Sequence, residues 1–251
     1  MNRDKIINKI SRVIIKIGSK ALAREDKISY DRIKFLADDI HLLRKSGIEC
    51  LVVSSGAILA GNEYFDFNLK RLNILRKQAV SSLGQVKLMS YYIKAFSRKG
   101  TNVSQLLLTN DIFDDRKRFL NTRAMILELL KMKILPIINE NDTVSVDEIM
   151  FGDNDILASK VAAMMDADLL VLLTDTDGLY DNNPKTNTKA TLISNLDEKS
   201  LDGELLNDTK SEIYVGGVSS KINTALDVFT CGIPTIIGTG NKKNDVGDIL
   251  N

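Results

Sequence analysis

Residues Tyr30–Val53 read YDRIKFLADDIHLLRKSGIECLVV. Ile33, Ala37, Ile40 and Leu43 recur at helical spacing through Tyr30–Ser46, and Gly47 stands where a C′ glycine would end that helix. Cys50–Val53 then follows as a short strand, apolar on both faces. The same alternation runs outward in both directions. Val13–Ile17, Val103–Leu108, Ile134–Ile138, Leu169–Leu173 and Pro234–Ile237 read as further strands, with Met89–Phe96, Ala124–Met132, Ile156–Met165 and Ser220–Phe229 as helices. Strands that are apolar on both faces need helices on both faces, so the pattern predicts an α/β fold with a mostly parallel central sheet. There is no Pro/Gly/Ser-rich linker and no internal repeat. The expectation is one domain over residues 1–251, with the polar stretch Asn182–Thr209 as a surface excursion.

Composition narrows the function classes. The chain is 44% hydrophobic and 27% charged, with a net charge of +1, so no basic field points to nucleic acid. Aromatic residues make up 6%, with no Trp, which removes the usual base-stacking platform. Cys50 and Cys231 lack CxxC spacing and are expected as buried small apolar residues in a reducing compartment. No apolar run approaches the about 18 residues that a membrane helix needs. Lys16 breaks the only apolar stretch near the N-terminus, so the expected location is cytoplasmic.

Ligands of open parallel sheets bind beyond the C-terminal ends of the strands. Lys16-Ile17-Gly18-Ser19, Ser54-Ser55-Gly56-Ala57, Asn139–Asp142 and Thr174-Asp175 all fall at that edge. A further cluster, Asp153-Asn154-Asp155, sits at the start of the helix pattern in FGDNDILASKVA (Phe151–Ala162). Its plain reading is an N-cap and turn; its functional reading is a polar-ligand site at a helix N-terminus, where free N–H groups favour anions. Lys16 interrupts an apolar strand, so it snorkels, meets an anion or lies on an edge strand.

Neither G-x-x-x-x-G-K-[ST] nor G-x-G-x-x-G is present, and Gly238-Thr239-Gly240 is too short to serve as the latter. Gly216-Gly217-Val218-Ser219-Ser220-Lys221 opens a helix. Its small residues would let backbone N–H groups approach phosphate oxygens, with Lys221 adding charge, although glycines before a helix are more often just a tight turn. His41, the only histidine, sits within a helix pattern between Ile40 and Leu42 and reads as structural. What remains is a kit of lysines, hydroxyls, carboxylates and glycine amides. It suits phosphoryl transfer, and a carboxylate acceptor above all, because a carboxylate is already ionised at neutral pH and needs no general base.

IIKIGSK (Ile14–Lys20), VSSGAILAG (Val53–Gly61), NENDTV (Asn139–Val144), FGDNDILASKVA, LLTDTDGLYDNNP (Leu172–Pro184) and VGGVSSK (Val215–Lys221) occur in this order. Together they resemble the glutamate 5-kinases (gamma-glutamyl kinases) of the amino acid kinase family, over Lys16 to about Gly240. NENDTV and GDND set the chain apart from aspartate kinase, acetylglutamate kinase and UMP kinase. The resemblance implies an αβα sandwich that converts ATP and L-glutamate to ADP and L-glutamyl 5-phosphate, the first step of proline synthesis, with Mg²⁺.

By the same resemblance, Lys16 and Lys221 hold the ATP phosphates and neutralise the transferring group. Thr174 and Asp175 contact the nucleotide, and Val215, Gly216, Gly217, Val218, Ser219, Ser220 and Lys221 wrap its phosphates. Ser55, Asp142 and Asn154 bind glutamate; Asp153 and Asp155 order the lysines and help place Mg²⁺, with no residue assigned as its direct ligand. Proline is implied as a feedback inhibitor competing with glutamate, with the polar stretch Lys70–Gly84 expected to be mobile and to close over the acceptor. Functional coupling to glutamate-5-phosphate reductase and a homo-oligomer are also implied.

Lys20 replaces the usual small hydroxyl residue, and Tyr214-Val215 and Val218 replace the usual Gly-Thr and Met. Many relatives carry a C-terminal PUA domain, and this chain is expected to be a kinase domain without one. Two rivals remain open at this point: a kinase for another small acid, and a catalytically silent sensor on the same fold.

Overall fold

The computed structural model describes residues 10–145, 154–180, 187–194, 218–241 and 246. Strand β1 (Arg12–Ile17) leads into a short helix α1 (Ser19–Leu22) and a small antiparallel hairpin, β2 (Ala23–Arg24) with β3 (Lys27–Ile28). Helix α2 (Tyr30–Lys45), strand β4 (Glu49–Ser54) and helix α3 (Ala57–Asn62) follow. Next come α4 (Ile74–Ser97), β5 (Val103–Leu108), α5 (Arg116–Lys131) and β6 (Leu135–Glu140). The remaining elements are α6 (Asp155–Met164), β7 (Leu169–Thr174), the pair β8 (Leu179–Tyr180) and β9 (Leu192–Ile193), α7 (Val218–Phe229) and β10 (Thr235–Thr239). Short 3₁₀ turns at Leu69–Arg71 and Asn110–Phe113 precede α4 and α5.

The six long strands form one sheet in the order β10-β7-β1-β4-β6-β5, and every pairing is parallel. β1 is central, with Val13 opposite both Cys50 of β4 and Leu169 of β7. The chain leaves β1 toward β4 and later returns to its other side as β7, which opens a crevice at the C-terminal ends of these three strands.

Alternation along β1 sorts its side chains between two cores. Val13, Ile15 and Ile17 pack with α2 and α4 residues such as Ile33, Ile40, Leu88 and Tyr92. Ile14 faces the other way, into a core with Ile126 of α5, Leu157 and Val161 of α6, and Val228 of α7. The result is the expected αβα sandwich. Lys16 shares the parity of Ile14 and so faces the α6/α7 layer.

Helix α2 ends as its sequence indicates: Gly47 takes φ +86°, and Ile48 N–H returns to the Leu43 carbonyl at 3.1 Å. The stretch Lys70–Gly84 is a 3₁₀ turn and then the first half of α4, a helix three times the length of the Met89–Phe96 segment visible in the sequence, and its Gln78 and Ser81 reach Asp142. Asn73 starts it, with Oδ1 accepting the Arg76 N–H at 2.9 Å. Cys50 is buried as expected, but Cys231 is exposed, in the turn that leaves α7. His41 lies half-buried on α2, as its helical context suggests.

α4 is seated by a glycine crossing. A Cβ on Gly84 would lie 1.8 Å from the Ala57 carbonyl oxygen, and one on Gly61 would lie 2.0 Å from the Val80 carbonyl oxygen. The backbones of α3 and α4 therefore touch with no room for a methyl group, and the inward face of α4 is held against the end of β4.

Candidate active site

The strand ends bring two polar clusters together, and they meet at adjacent residues, Asn154 and Asp155. Lys16 is only 3% exposed, and its Nζ lies 2.5 Å from Asp155 Oδ1. Lys221, near the start of α7, places its Nζ 2.8 Å from Asp155 Oδ2. Asp155 is fully buried. One carboxylate thus aligns two ammonium groups from different layers, and the trio keeps a net positive charge. A buried carboxylate is tolerable only with such partners. Lys16 lies on the central strand of the sheet, so the edge-strand reading falls and the anion reading holds.

Asn154 occupies the N-cap position of α6, yet its side chain makes no capping hydrogen bond. Nδ2 instead donates to Asn139 Oδ1 at 2.6 Å, Ser55 Oγ at 3.0 Å and the Ser54 carbonyl at 3.3 Å. This spends the amide's donors on the ends of β4 and β6 rather than on the helix, so the plain cap reading is set aside. Asn139, itself buried, donates to Gln85 Oε1 at 2.9 Å and accepts the Glu140 N–H at 2.9 Å. Ser54 Oγ pairs at 2.7 Å with the hydroxyl of Tyr92, whose acidity burial suppresses.

Asp142 closes this cluster. Ser81 Oγ donates to its Oδ2, and Gln78 Nε2 donates to its backbone carbonyl at 2.9 Å. Burial, opposed by the Ser81 hydrogen bond and aided by Glu140, pushes the Asp142 carboxyl up to about 6. Asp142 Oδ1 and Asn154 Oδ1 are buried and have no hydrogen-bond partner among the described residues.

On the other flank, Gly18 N–H donates to the Leu173 carbonyl at 3.3 Å, which ties the end of β1 to the end of β7. Thr174 Oγ1 donates to Asp175 Oδ1 at 3.3 Å, and Asn241 Nδ2 to the Asp175 carbonyl at 3.3 Å. The structure therefore gathers Lys16, Ser55, Asp142, Asn154, Asp155, Thr174, Asp175 and Lys221 along one sheet edge. Val218, Ser219 and Ser220 form the first turn of α7. Asp153, Val215, Gly216 and Gly217 lie outside the described residues. Gln78 and Ser81 belong to the stretch expected near the acceptor but carry no motif of their own, and Gln85 was not expected at the site. Their signal is polar residues at helical spacing on a face that turns out to be buried.

Comparison with known proteins gives the context for this geometry. The model of the amino acid kinase family matches residues 11–239. The chain belongs to the amino acid kinase family. Three amino acid kinases similar to it carry glutamate 5-kinase names. That of Syntrophus aciditrophicus is 39% identical over 100% of this chain and 65% of its own length. Glutamate 5-kinase 2 of Bacillus subtilis is 42% identical over 96% of this chain and 64% of its own. That of Alkaliphilus metalliredigens is 40% identical over 96% of this chain and 92% of its own. The chain thus spans about two thirds of the length of the first two.

Solved structures support the fold. An isopentenyl phosphate kinase aligns with a TM-score of 0.63 at 17% identity, covering 95% of both chains. The carbamate kinase of Giardia lamblia bound to AMP-PNP aligns with a TM-score of 0.66 at 15% identity, covering 96% of this chain and 95% of its own. Among the described residues, no helix is long and apolar enough to cross a membrane, and no group of His, Cys, Asp and Glu is arranged to hold a metal ion.

Proposed function

We propose that this chain transfers the γ-phosphoryl group of Mg-ATP to the γ-carboxylate of L-glutamate, giving L-glutamyl 5-phosphate and ADP. The observation that carries this reading is the Lys16–Asp155–Lys221 trio set directly beside the Asn154–Ser55–Asp142 cluster. The trio offers two aligned ammonium groups for charge that shifts onto phosphoryl oxygens, the main demand of phosphoryl transfer. The acceptor carboxylate attacks as it stands, with no proton to remove. Asp155 positions both lysines, and its two oxygens are occupied in doing so. Magnesium fits as the ion carried on the nucleotide phosphates, supplying further charge neutralisation there.

The chain's own residues divide the rest of the task. Ser55, Asn154 and Asp142 hold the amino acid head, while Thr174, Asp175 and the start of α7 hold the nucleotide. The relatives named glutamate 5-kinase favour glutamate over other small acids. Proline carries a carboxylate and an ammonium like those of glutamate, so it competes at the same head-group cluster. The product is a labile mixed anhydride, which favours hand-off to a reductase.

The test is ADP release with Mg-ATP and glutamate, aspartate or acetylglutamate, with hydroxylamine present to trap an acyl phosphate. Glutamate-dependent ADP and hydroxamate are the expected result. ADP formed at one rate with or without glutamate, or faster with either other acid, overturns the reading.

A further inference from the structure

The acceptor end of the site has a polarity, and it is set from outside the motifs. Gln85 Oε1 accepts from Asn139 Nδ2 at 2.9 Å, which turns Asn139 Oδ1 toward Asn154. Asn139 Oδ1 then takes Asn154 Nδ2 at 2.6 Å, and Ser55 Oγ receives the same amide at 3.0 Å. With both neighbours claiming its nitrogen, Asn154 is left with Oδ1 as an open, buried acceptor. Ser81 does the same for Asp142: it takes Oδ2, and Oδ1 stays buried and open. A buried acceptor without a donor is costly, and two in one cluster call for a ligand that donates.

Ser81 and Gln85 are four residues apart on the inward face of α4. Both are buried, and Gly84 beside them is pinned against the Ala57 carbonyl. The close backbone crossing of α3 and α4 seats both side chains beside the strand ends.

We infer that Ser81 and Gln85 are positioning residues that leave Asp142 Oδ1 and Asn154 Oδ1 as open acceptors, so that this end of the site selects a carboxylic acid bearing an ammonium group. This rests on the glutamate reading above and deepens it, because it assigns discrimination between glutamate and its des-amino analogue glutarate to a helix that contributes no residue to the Lys16–Asp155–Lys221 trio. The charged group facing Asp142 is Glu140, on the end of β6; Gln78 and Ser81, from α4, are neutral.

The experiment measures kcat and KM for glutamate, glutarate and ATP in wild type, Gln85→Leu, Gln85→Glu and Ser81→Ala, each with a melting curve. Gln85→Leu removes the acceptor that orients Asn139, and is expected to raise the glutamate KM about tenfold while the glutarate and ATP constants move little. Discrimination against glutarate then falls by the same factor. Gln85→Glu keeps an acceptor oxygen and is expected to stay within about threefold of wild type. Ser81→Ala, which removes only a hydroxyl, is expected to raise the glutamate KM and to move the acid limb of kcat/KM for glutamate upward in pH.

The inference fails if wild type turns over glutamate but Ser81→Ala and any folded Gln85→Leu keep its KM, its glutarate discrimination and its pH profile. Wild type that forms no ADP with glutamate overturns the glutamate reading itself, and the inference with it. Equal rises in the glutamate and glutarate KM mark a general structural defect and also overturn the inference.

Discussion

The two ends of this site are built on opposite principles. At the phosphate end, Asp155 is saturated: each oxygen faces a lysine, and the cluster is closed by full charges from β1 and α7. At the acceptor end, hydrogen bonds run through amides and hydroxyls from β4, β6 and α4, and they stop short at two open oxygens. The saturated end is ready for a highly charged ligand because its lysines are aligned in advance. The open end is ready for a small donor because its acceptors have no internal partner. Sequence neighbours, Asp155 and Asn154, serve these opposite ends from one helix start.

The largest effect should come from the saturated end. Lys221→Ala is expected to cut kcat by about 10²–10³ while changing both KM values far less, since its charge matters most as the phosphoryl group moves. Steady-state kinetics on each substrate check this. A loss confined to the ATP KM would mean that Lys221 only tethers nucleotide, and the contrast between the ends would weaken.

The seating of α4 gives the next effect. Gly84→Ala forces a methyl group onto the Ala57 carbonyl and should cost about 1–3 kcal/mol of stability, read as a lower melting temperature. Because Ser81 and Gln85 flank Gly84, the folded fraction should also bind glutamate more weakly while keeping its ATP KM. If ATP and glutamate constants shift together, the two ends are less separable than their hydrogen bonds indicate.

The smallest effect is a pH dependence of the open end. Asp142 is raised to about 6 by burial, so it is ionised above that pH and protonated below it. Protonation removes the charge that attracts an ammonium group. The glutamate KM should therefore be flat above about pH 7 and rise by up to about tenfold per unit below 6, with the ATP KM following no such limb. A flat glutamate KM down to pH 5 would remove Asp142 from the head-group cluster.

What could be read from the sequence follows from what repeats. β1, β4 and β7 are apolar on both faces, and that pattern has few other homes than a covered parallel sheet. Lys16 was legible as an anomaly within such a strand, and the sheet order explains it, because on a central strand its ammonium reaches the buried Asp155 carboxylate at the crevice. The first half of α4 was not legible. Leu75 and Val86 are more than 70% exposed and Gly84 sits in mid-helix, so the usual apolar stripe is blurred. The Asn73 cap that starts the helix is a single residue and is visible only in the structure. The direction of the Asn154 amide was equally hidden. It depends on Asn139, Ser55 and Gln85, from three separate elements, and no local spacing encodes that chain of donors.

The account turns on the division of labour between Asn154 and Asp155. The most direct test is Asn154→Ala, assayed for kcat and for both KM values, with a melting curve to show that it is folded. A rise of about tenfold or more in the glutamate KM, with the ATP KM nearly unchanged, is the predicted result. A folded Asn154→Ala protein with an unaltered glutamate KM would contradict it, and would make the residue an architectural link between β4, β6 and α6 with no part in holding the acceptor.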